Sequence, residues 1–363
     1  MNTDKEAEIS IESSKKSIIS SIKEVGDHPE RPEGPVGLDV GTSSIVLGEN
    51  KGDFVRTVQQ TNAFFTIPLN NFTRTTLINK DEIPFIEMNN QFYILGKAAE
   101  DFANTFNKET RRPMRMGLIN PTEVDSIPAI HAILQTLIQR PRMPGETMYY
   151  SVPGEPLEAT DTVVYHSSIL KAFLRTLGYT PVPINEGLAV VMAELPDDEF
   201  TGIGISMGGG MCNVCLSYLS VPIITFSIPK GGDYVDTMVA RSIGESATKV
   251  KVIKENELNL TAKPKNRLET ALHIYYGDLV NTLLDGLQSK LMASDSMPKM
   301  TRPVPIVLSG GTSRPAGFQD MFTAALKNIT LPVGISSVRV AEEPLTSVVR
   351  GALIKALAEE EEF

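Results

Sequence analysis

Three glycine-rich turns, widely spaced along 363 residues, constrain the fold of this chain more than any other feature. They occupy residues 37–44 (GLDVGTSS), 204–211 (GISMGGGM) and 308–313 (LSGGTS). Glycine adopts positive φ angles and lets a ligand approach the backbone closely, because it has no Cβ atom. Successive backbone N–H groups in such turns bind anions. The turns together predict two phosphate-binding hairpins and a third turn that binds the adenosine of one nucleotide.

The first turn has the pattern of a strand, a tight turn and a second strand. Apolar residues flank it in segments 36–40 and 45–47. Within the turn, the hydroxyl groups of Thr42 and Ser43 are donors for phosphate oxygens. Asp39 would lie beside those phosphates, where a carboxylate needs a cation, and Mg²⁺ bound largely through water meets that need. An exposed acid on a plain hairpin is the alternative interpretation of Asp39.

Composition excludes several classes of protein. Hydrophobic residues make up 41% and charged residues 21%, which is enough apolar material for folded cores, and the length suits two domains. The net charge of -10 argues against a nucleic acid as partner. No apolar run approaches the ~20 residues that span a bilayer, and the polar N-terminus carries no secretory signal. We therefore expect a cytoplasmic protein, with the inner face of the membrane as an alternative location.

The chain has two cysteines, Cys212 and Cys215, in a C-x-x-C spacing. A zinc site needs about four ligands, and neither a second cysteine pair nor a nearby histidine accompanies them. Residues 211–219 have the pattern of a strand, which points residues three apart to opposite faces. We expect both cysteines to be structural.

The order of predicted elements repeats in the two halves of the chain. Each half begins with a strand meander that carries a glycine hairpin and continues with helix–strand–helix units, as is typical of α/β proteins. The predicted parts are a tail at 1–35, a first domain at 36–185 completed by a helix at 343–358, and a second domain at 186–342. Within them we expect an insert at about 65–112, a shortened subdomain at about 250–266 and an acidic tail at 359–363.

The predicted N-terminal tail, residues 1–35, has two interpretations. Isoleucines and a valine recur at helical spacing between residues 11 and 25, with lysines nearby. That pattern suits a weak amphipathic helix lying on a membrane or on a partner protein. A partly disordered tail is the other interpretation.

The motifs resemble the actin-type nucleotide-binding fold, and over about residues 36–358 the chain is most similar to the bacterial actins such as MreB and MamK. The segments that carry the resemblance, in chain order, are RPMRMGLI at 112–119, YSVPG at 150–154, INEGLA at 184–189, KGGDYVD at 230–236 and EPLTSVVRG at 343–351. The resemblance implies a two-domain α/β fold in which each half is a mixed sheet flanked by helices. It also implies a nucleotide cleft between the halves and a reduced small subdomain in the second domain.

The same resemblance implies ATP or ADP as ligand, together with Mg²⁺. Carried over by motif, the nucleotide-binding residues are Gly37, Asp39, Gly41, Thr42, Ser43, Gly208, Gly209, Gly210, Glu245, Gly310, Gly311 and Thr312, with Asp39 holding Mg²⁺ through water. The family's catalytic acid follows the YSVPG segment. Glu158 and Asp161 both fit that position, and Thr160 is a third alternative.

Two positions of the second hairpin depart from the family pattern. Ser206 and Met211 stand where the family has Asp and Thr. That Asp would hold the waters of the metal, and that Thr would position the attacking water, so both changes predict slow hydrolysis. The shortened subdomain also alters a region that contributes to the contact between protomers in the family.

We therefore expect an actin-like protein that binds ATP or ADP and self-assembles into filaments by repeated head-to-tail contacts, with weak or slow ATP hydrolysis. The alternative is a scaffold of the same fold that binds nucleotide poorly and docks partner proteins through its N-terminal tail. A small-molecule kinase is disfavoured, because the sequence shows neither a base for an acceptor hydroxyl nor a sizeable insert to form a substrate cleft.

Overall fold

The computed structural model describes residues 31–52, 54–78, 83–157, 162–294, 298, 300 and 302–361. The chain divides into two compact units. Unit 1 comprises Met1–Tyr150, Asp161–Pro183 and Ala356–Phe363, and unit 2 comprises Ser151–Thr160 and Ile184–Lys355. Each unit is built around one five-stranded sheet.

The elements between residues 36 and 185 belong mostly to unit 1. In chain order they are β1 (Val36–Val40), β2 (Ser44–Asn50), β3 (Val55–Thr61), β4 (Phe64–Pro68), α1 (Asn71–Ile78), β5 (Phe85–Met88), β6 (Gln91–Leu95), α2 (Gly96–Thr105), β7 (Met114–Arg115), β8 (Leu118–Ile119), α3 (Ser126–Leu137), β9 (Thr147–Val152), α4 (Thr162–Thr176) and β10 (Thr180–Asn185).

The remaining elements belong mostly to unit 2. They are α5 (Glu186–Glu194), β11 (Gly202–Met207), β12 (Cys212–Tyr218), β13 (Val221–Ile228), α6 (Gly232–Ile243), α7 (Ala247–Asn256), α8 (Arg267–Met292), β14 (Val304–Ser309), a short 3₁₀ turn (Gly311–Ser313), α9 (Phe318–Leu326), β15 (Ile335–Val340) and α10 (Ser347–Glu361).

The two large sheets share one pattern of pairing. In unit 1 the strand order is β10-β9-β1-β2-β3, with β1 antiparallel to β2 and parallel to β9. In unit 2 the order is β13-β12-β11-β14-β15, with β11 antiparallel to β12 and parallel to β14. In both units, the turn that connects the first two strands is one of the predicted glycine-rich turns. The predicted α/β fold with two similar halves is therefore confirmed.

The central strands β1 and β11 are mostly buried because helices cover the sheets. All six residues of β11 are buried. The core of unit 2 joins β11, β12 and β13 to α6 and α8, with Tyr276 and Phe318 in edge-to-face contact at 5.8 Å between ring centroids. This core holds the second and third glycine turns at the ends of their strands.

A small three-stranded sheet, with strand order β4-β6-β5, follows β3 in unit 1. Helices α1 and α2 accompany it. Its apolar cluster contains Leu77, Phe85, Phe92 and Ile94. This sheet falls almost entirely within about residues 65–112, the segment that we expected to be an insert.

Capping residues mark the starts of α7 and α8 and the end of α6 in unit 2. Ser246 accepts the backbone N–H of Lys249 at the start of α7, and Asn266 accepts that of Glu269 at the start of α8. Side-chain oxygens at this position satisfy N–H groups that have no partner within the helix. Gly244 has a φ of 76° and ends α6, as glycine commonly does.

Two further observations concern the sequence predictions. Cys212 and Cys215 lie on β12, both buried and free, and burial raises the pKa of the Cys215 thiol to about 12. Helix α10 extends to Glu361, three residues into the segment expected to be an acidic tail. Glutamate is a good helix former, and the Tyr149 hydroxyl hydrogen-bonds to Glu359.

No helix in the described part of the chain has the length and apolarity needed to cross a membrane.

Candidate functional site

The first glycine turn is a tight hairpin loop of residues 41–43. The backbone N–H of Gly41 donates to the carbonyl of Ser44 at 3.0 Å, and the Asn62 side chain donates to the Gly41 carbonyl at 2.8 Å. A Cβ atom on Gly41 would lie 2.8 Å from the Ser44 carbonyl oxygen, so the turn requires glycine here. The loop is therefore fixed before any ligand binds.

Thr42 has a structural role in addition to its predicted contact with phosphate. Its hydroxyl is buried and accepts the backbone N–H of Gly117 at 2.9 Å. Gly117, at φ 73°, lies in the turn between β7 and β8. A hydroxyl that accepts one hydrogen bond still has its own proton to donate. Beside it, the Arg112 guanidinium lies 3.5 Å from the Ser43 hydroxyl and places a positive charge at the loop.

The second and third glycine turns come together in unit 2, at the start of α6. The backbone N–H groups of Gly232 and Asp233 donate to the carbonyls of Gly208 and Gly209 at 3.0 and 2.8 Å. The Thr312 hydroxyl donates to the Gly208 carbonyl at 2.8 Å. One carbonyl thus joins the second hairpin, the third turn and a helix N-terminus.

Close backbone approach explains why glycine is needed in this cluster. A Cβ atom on Gly231 would lie 2.5 Å from the carbonyl oxygens of both Gly208 and Gly209. Gly310 has a φ of 91°, and a Cβ there would lie 2.3 Å from the Met207 carbonyl oxygen. Gly231 was part of a sequence match, but it was not among the predicted ligand-binding residues.

Each of the two hairpins has a pair of successive backbone N–H groups that bond to no described part of the chain. Among the described residues, no hydrogen bond uses the N–H groups of Thr42 and Ser43 in unit 1, or those of Gly209 and Gly210 in unit 2. Adjacent N–H groups of this kind can bind the oxygens of an anion. Each glycine hairpin therefore fits a phosphate group.

A buried carboxylate lies behind the second hairpin. The Ser206 hydroxyl, on β11, donates to Glu186 Oε2 at 2.9 Å, and both side chains are buried. Glu186 is the first residue of α5. Met211 is also buried, so the hairpin has a serine and a thioether where the resembling family has a carboxylate and a hydroxyl.

A buried ion pair supports the glycine cluster from α7. The Lys254 ammonium lies 2.8 Å from Asp236 Oδ2 and also donates to the Gly232 carbonyl at 3.1 Å. Burial raises the pKa of Asp236 to about 6, although the charge of Lys254 acts in the opposite direction. A cation thus lies next to the backbone that holds the second hairpin.

The other predicted site residues have varied surroundings. Gly37 is buried on β1, and Asp39, partly exposed, lies opposite Val46 on β2. Glu245 lies just before α7, is exposed and forms an ion pair with Lys249 of that helix at 2.8 Å. Glu158 and Asp161 lie outside the described residues. In the described part of the chain, no three His, Cys, Asp or Glu side chains cluster as a metal site would require.

The sequence profile of the family described as Volactin matches residues 35–356. The chain belongs to the Volactin family. No curated protein matches its sequence.

Solved structures of bacterial actins are similar to this Volactin-family chain. A structure titled "MamK double helical filament" has a TM-score of 0.66 at 18% identity, covering 90% of this chain and 98% of that one. MreB5 of Spiroplasma citri bound to AMPPNP has a TM-score of 0.65 at 16% identity, covering 92% and 99%. The same protein bound to ADP has a TM-score of 0.61. At these identities the likeness shows the fold, and it confirms the resemblance to MreB and MamK at that level.

Sequence reasoning gave no role to Glu186, Asp236 and Lys254. Each had a weak signal. Glu186 and Asp236 lie inside the INEGLA and KGGDYVD matches, and Lys254 follows Val250 by one helical turn, on the buried side of α7. Their hydrogen bonds join residues that are 18 to 22 positions apart in the chain, which local patterns do not reveal.

Proposed function

We propose that this Volactin-family chain binds ATP or ADP with Mg²⁺ and self-assembles into filaments. The observation that carries the nucleotide proposal is the repeated hairpin. The loop of each unit presents two successive N–H groups that bond to no described residue, at Thr42 and Ser43 and at Gly209 and Gly210. The phosphate group of a nucleotide is the kind of anion that such a pair of N–H groups binds.

Side chains near the first hairpin add the remaining chemistry. Arg112 supplies positive charge beside Ser43. Asp39, partly exposed on β1, is the carboxylate that would hold Mg²⁺ through water molecules, since Mg²⁺ keeps several waters when it binds one or two carboxylates. When bound, the ion neutralises charge on the phosphates.

The related structures support both parts of the proposal. MreB5 was solved with ADP and with AMPPNP, an analogue of ATP, and MamK was solved as a double helical filament. These ligands and this assembly belong to those proteins. Their common fold makes nucleotide binding and filament formation the first functions to test here.

Hydrolysis, if present, should be slow. Ser206 and Met211 supply neither the charge that holds metal-bound water nor the hydroxyl that positions an attacking water. Glu186, buried against Ser206, joins Glu158 and Asp161 as a candidate acid, because its carboxylate lies directly behind the second hairpin.

Two measurements test the proposal together. Negative-stain electron microscopy with Mg-ATP, with Mg-ADP and without nucleotide reports filaments. Calorimetry with the same ligands measures nucleotide binding. The Asp39→Ala substitution should abolish the Mg²⁺-dependent binding. Glu109→Ala removes an exposed acid elsewhere in unit 1 and should bind as the wild type does.

The outcomes separate the two parts. Binding without filaments would leave a nucleotide-binding protein that does not self-assemble. Normal Mg²⁺-dependent binding by Asp39→Ala would show that the metal is held elsewhere. Thr42→Val should lower affinity because it leaves the Gly117 N–H buried and unpaired, whereas Thr42→Ser keeps the hydroxyl and should preserve binding.

A scaffold without nucleotide is the second candidate. The observation that favours it is the second hairpin, where Ser206 is engaged by Glu186 and Met211 is buried. No heat of binding for either nucleotide would select this candidate. Two expectations stay predictions: that residues 1–35 dock a membrane or a protein partner, and that the protein is cytoplasmic. Residues 1–30 lie outside the described part of the chain.

A further inference from the structure

Unit 2 carries a short, strongly basic surface segment. Residues 261–267 (TAKPKNR) contain three cations and no acid, in a chain whose net charge is -10. The side chains of Lys263, Lys265 and Arg267 are exposed, and none forms an ion pair with a described residue. We call residues 261–267 the basic segment. Like charges at this density repel each other unless an acidic partner lies nearby.

The basic segment is held in a fixed position. The preceding Leu260 donates its N–H to the Ala316 carbonyl at 2.7 Å. Gly317 has a φ of 79°, and a Cβ there would lie 2.7 Å from the Thr261 nitrogen, so the two backbones are in close contact. Ala316 and Gly317 follow β14. The basic segment is therefore anchored beyond the carboxyl ends of the parallel strands.

A cavity of about 340 Å³ in the same unit has the opposite charge. Three consecutive acids, Asp197, Asp198 and Glu199, line it together with residues 302–305. The acids are exposed, and they form no ion pair with a described residue. Arg302 is the one cation among the described lining residues. We call this surface the acidic cavity.

The loop that carries these acids is also well ordered by hydrogen bonds. Thr201 donates its N–H to the Asp198 carbonyl at 2.9 Å, and Phe200 donates to the Leu195 carbonyl at 2.8 Å. The Thr201 hydroxyl accepts the N–H of Leu219 at 2.9 Å, which fixes the loop to the turn between β12 and β13. The acids are thus presented by a preformed surface.

The two surfaces lie at opposite ends of unit 2. The acidic loop precedes β11, and residues 302–305 begin β14, so the cavity lies at the amino ends of two strands that run parallel. Helix α8 starts in the basic segment and has 26 residues, about 39 Å at the usual rise. The chain beyond it lines the cavity at Met300. The basic segment cannot reach the acidic cavity of its own chain.

We propose that the acidic cavity of one copy binds the basic segment of the next copy. The inference deepens the proposed filament function and rests on it. Two different, complementary surfaces at opposite ends of one unit make a heterologous contact, which repeats head to tail instead of closing into a dimer. Three cations then face three acids that form no ion pair with any described residue of their own chain. Complementary charge of this kind also selects the correct partner, because like charges in contact oppose binding.

Charge reversal on either surface tests the contact in the full-length protein. One variant carries Lys263→Glu, Lys265→Glu and Arg267→Glu, and the other carries Asp197→Lys and Asp198→Lys. Each should raise the protein concentration needed for sedimentable polymer at least about tenfold, because like charges then meet at the contact. A control with Lys108→Glu, Arg140→Glu and Arg142→Glu changes exposed cations of unit 1 by the same charge and should assemble as the wild type.

Mixing the two variants gives the decisive result. In an equimolar mixture, the reversed segment of one variant meets the reversed cavity of the other, and the two native surfaces also meet. Assembly should return to within about twofold of the wild type, since every contact again joins opposite charges. Wild-type assembly by either variant alone, or no recovery in the mixture, would overturn the proposal.

If the wild-type protein forms no polymer, chemical cross-linking tests the contact instead. Equal amounts of ¹⁴N- and ¹⁵N-labelled protein at high concentration are treated with a carbodiimide, which joins a carboxylate and a lysine in direct contact. Mixed-isotope peptides linking Lys263 or Lys265 to the 197–199 loop are expected. Their absence would reject the contact, whereas their presence without polymer would reject only the filament.

Discussion

The Lys254 ammonium lies 2.8 Å from a carboxylate oxygen of Asp236, and both side chains are more than nine-tenths buried. The same ammonium donates to the carbonyl of Gly232, whose N–H donates to Gly208 in the second hairpin. A side chain of α7 therefore fixes the start of α6 and, through it, the backbone of the candidate phosphate loop.

Removing this ammonium should destabilise the protein strongly. Lys254→Met leaves a buried carboxylate without its cation, which costs about 3–5 kcal/mol. The double variant Lys254→Met, Asp236→Leu should recover most of that loss, because no charge remains buried. Urea denaturation measures both. Lys249→Met breaks the exposed pair with Glu245 on the same helix and should cost under about 1 kcal/mol. Equal losses for the two lysines would contradict the structural role of Lys254.

The effect of Lys254→Met should also depend on pH. Burial already raises the pKa of Asp236 to about 6, and Lys254 acts to lower it. An acid whose folded pKa exceeds its unfolded value destabilises the fold as pH rises through the folded pKa. The variant should therefore lose more stability at pH 8 than at pH 5. A loss that is independent of pH would indicate that Asp236 has the same folded pKa in the variant as in the wild type.

Two buried histidines should make unit 1 sensitive to acid. Burial lowers the pKa of His131 to about 3 and that of His166 to about 4. Neither His166 nitrogen has a hydrogen-bond partner within the described part of the chain, and His131 stacks on Phe173 with ring centroids 4.1 Å apart. Below about pH 6.5 the unfolded chain binds protons that the folded chain excludes, so stability falls by about 1.4 kcal/mol per pH unit for each histidine.

Substitution of the histidines isolates this contribution. His166→Leu should reduce the slope of unfolding free energy against pH between pH 6.5 and about pH 4. The measurement is urea denaturation at half-unit intervals. Equal slopes for the wild type and His166→Leu would show that His166 is protonated in the folded protein.

Local patterns predicted the strands and the glycine hairpins, because both follow from neighbouring residues. Glycines at 41 and 208–210 interrupt apolar runs, and the structure places a hairpin at each. The side-chain contacts that fix these hairpins could not be predicted in the same way. Thr42 contacts Gly117 across 75 residues, and Thr312 contacts Gly208 across 104. Such pairs depend on how the elements pack, and no spacing in the sequence encodes them.

Two helical glycines give opposite predictions for the same substitution. A Cβ on Gly351, in α10, would lie 1.8 Å from the Ala189 carbonyl oxygen, so Gly351→Ala must separate two helices and should cost at least about 2 kcal/mol. Gly277, in α8, has no atom within 4 Å of the same position. Gly277→Ala should stabilise the protein by about 0.4–1 kcal/mol, because alanine restricts the unfolded chain. Thermal unfolding distinguishes the two. A neutral Gly351→Ala would mean that α10 can shift away from α5.

The hydrogen bond from Ser206 to Glu186 decides what a restored carboxylate would do. Ser206→Asp places a second acid within hydrogen-bond distance of a buried one, and two such carboxylates do not both ionise without a cation. The introduced acid then has a folded pKa above its unfolded value, so its cost should be present at pH 8 and lost as pH falls.

Mg-ADP should offset that cost at pH 8 if the second hairpin lies at the metal, and it should raise the melting temperature of Ser206→Asp more than that of the wild type. Ser206→Asn has nearly the same shape without the charge and should show neither the pH dependence nor the added response to Mg-ADP. Adding Met211→Thr to Ser206→Asp should then raise ATP hydrolysis, because the pair supplies metal-bound water and a positioning hydroxyl. If Ser206→Asp and Ser206→Asn respond alike to Mg-ADP, the metal does not approach Ser206, and the slow hydrolysis has another cause.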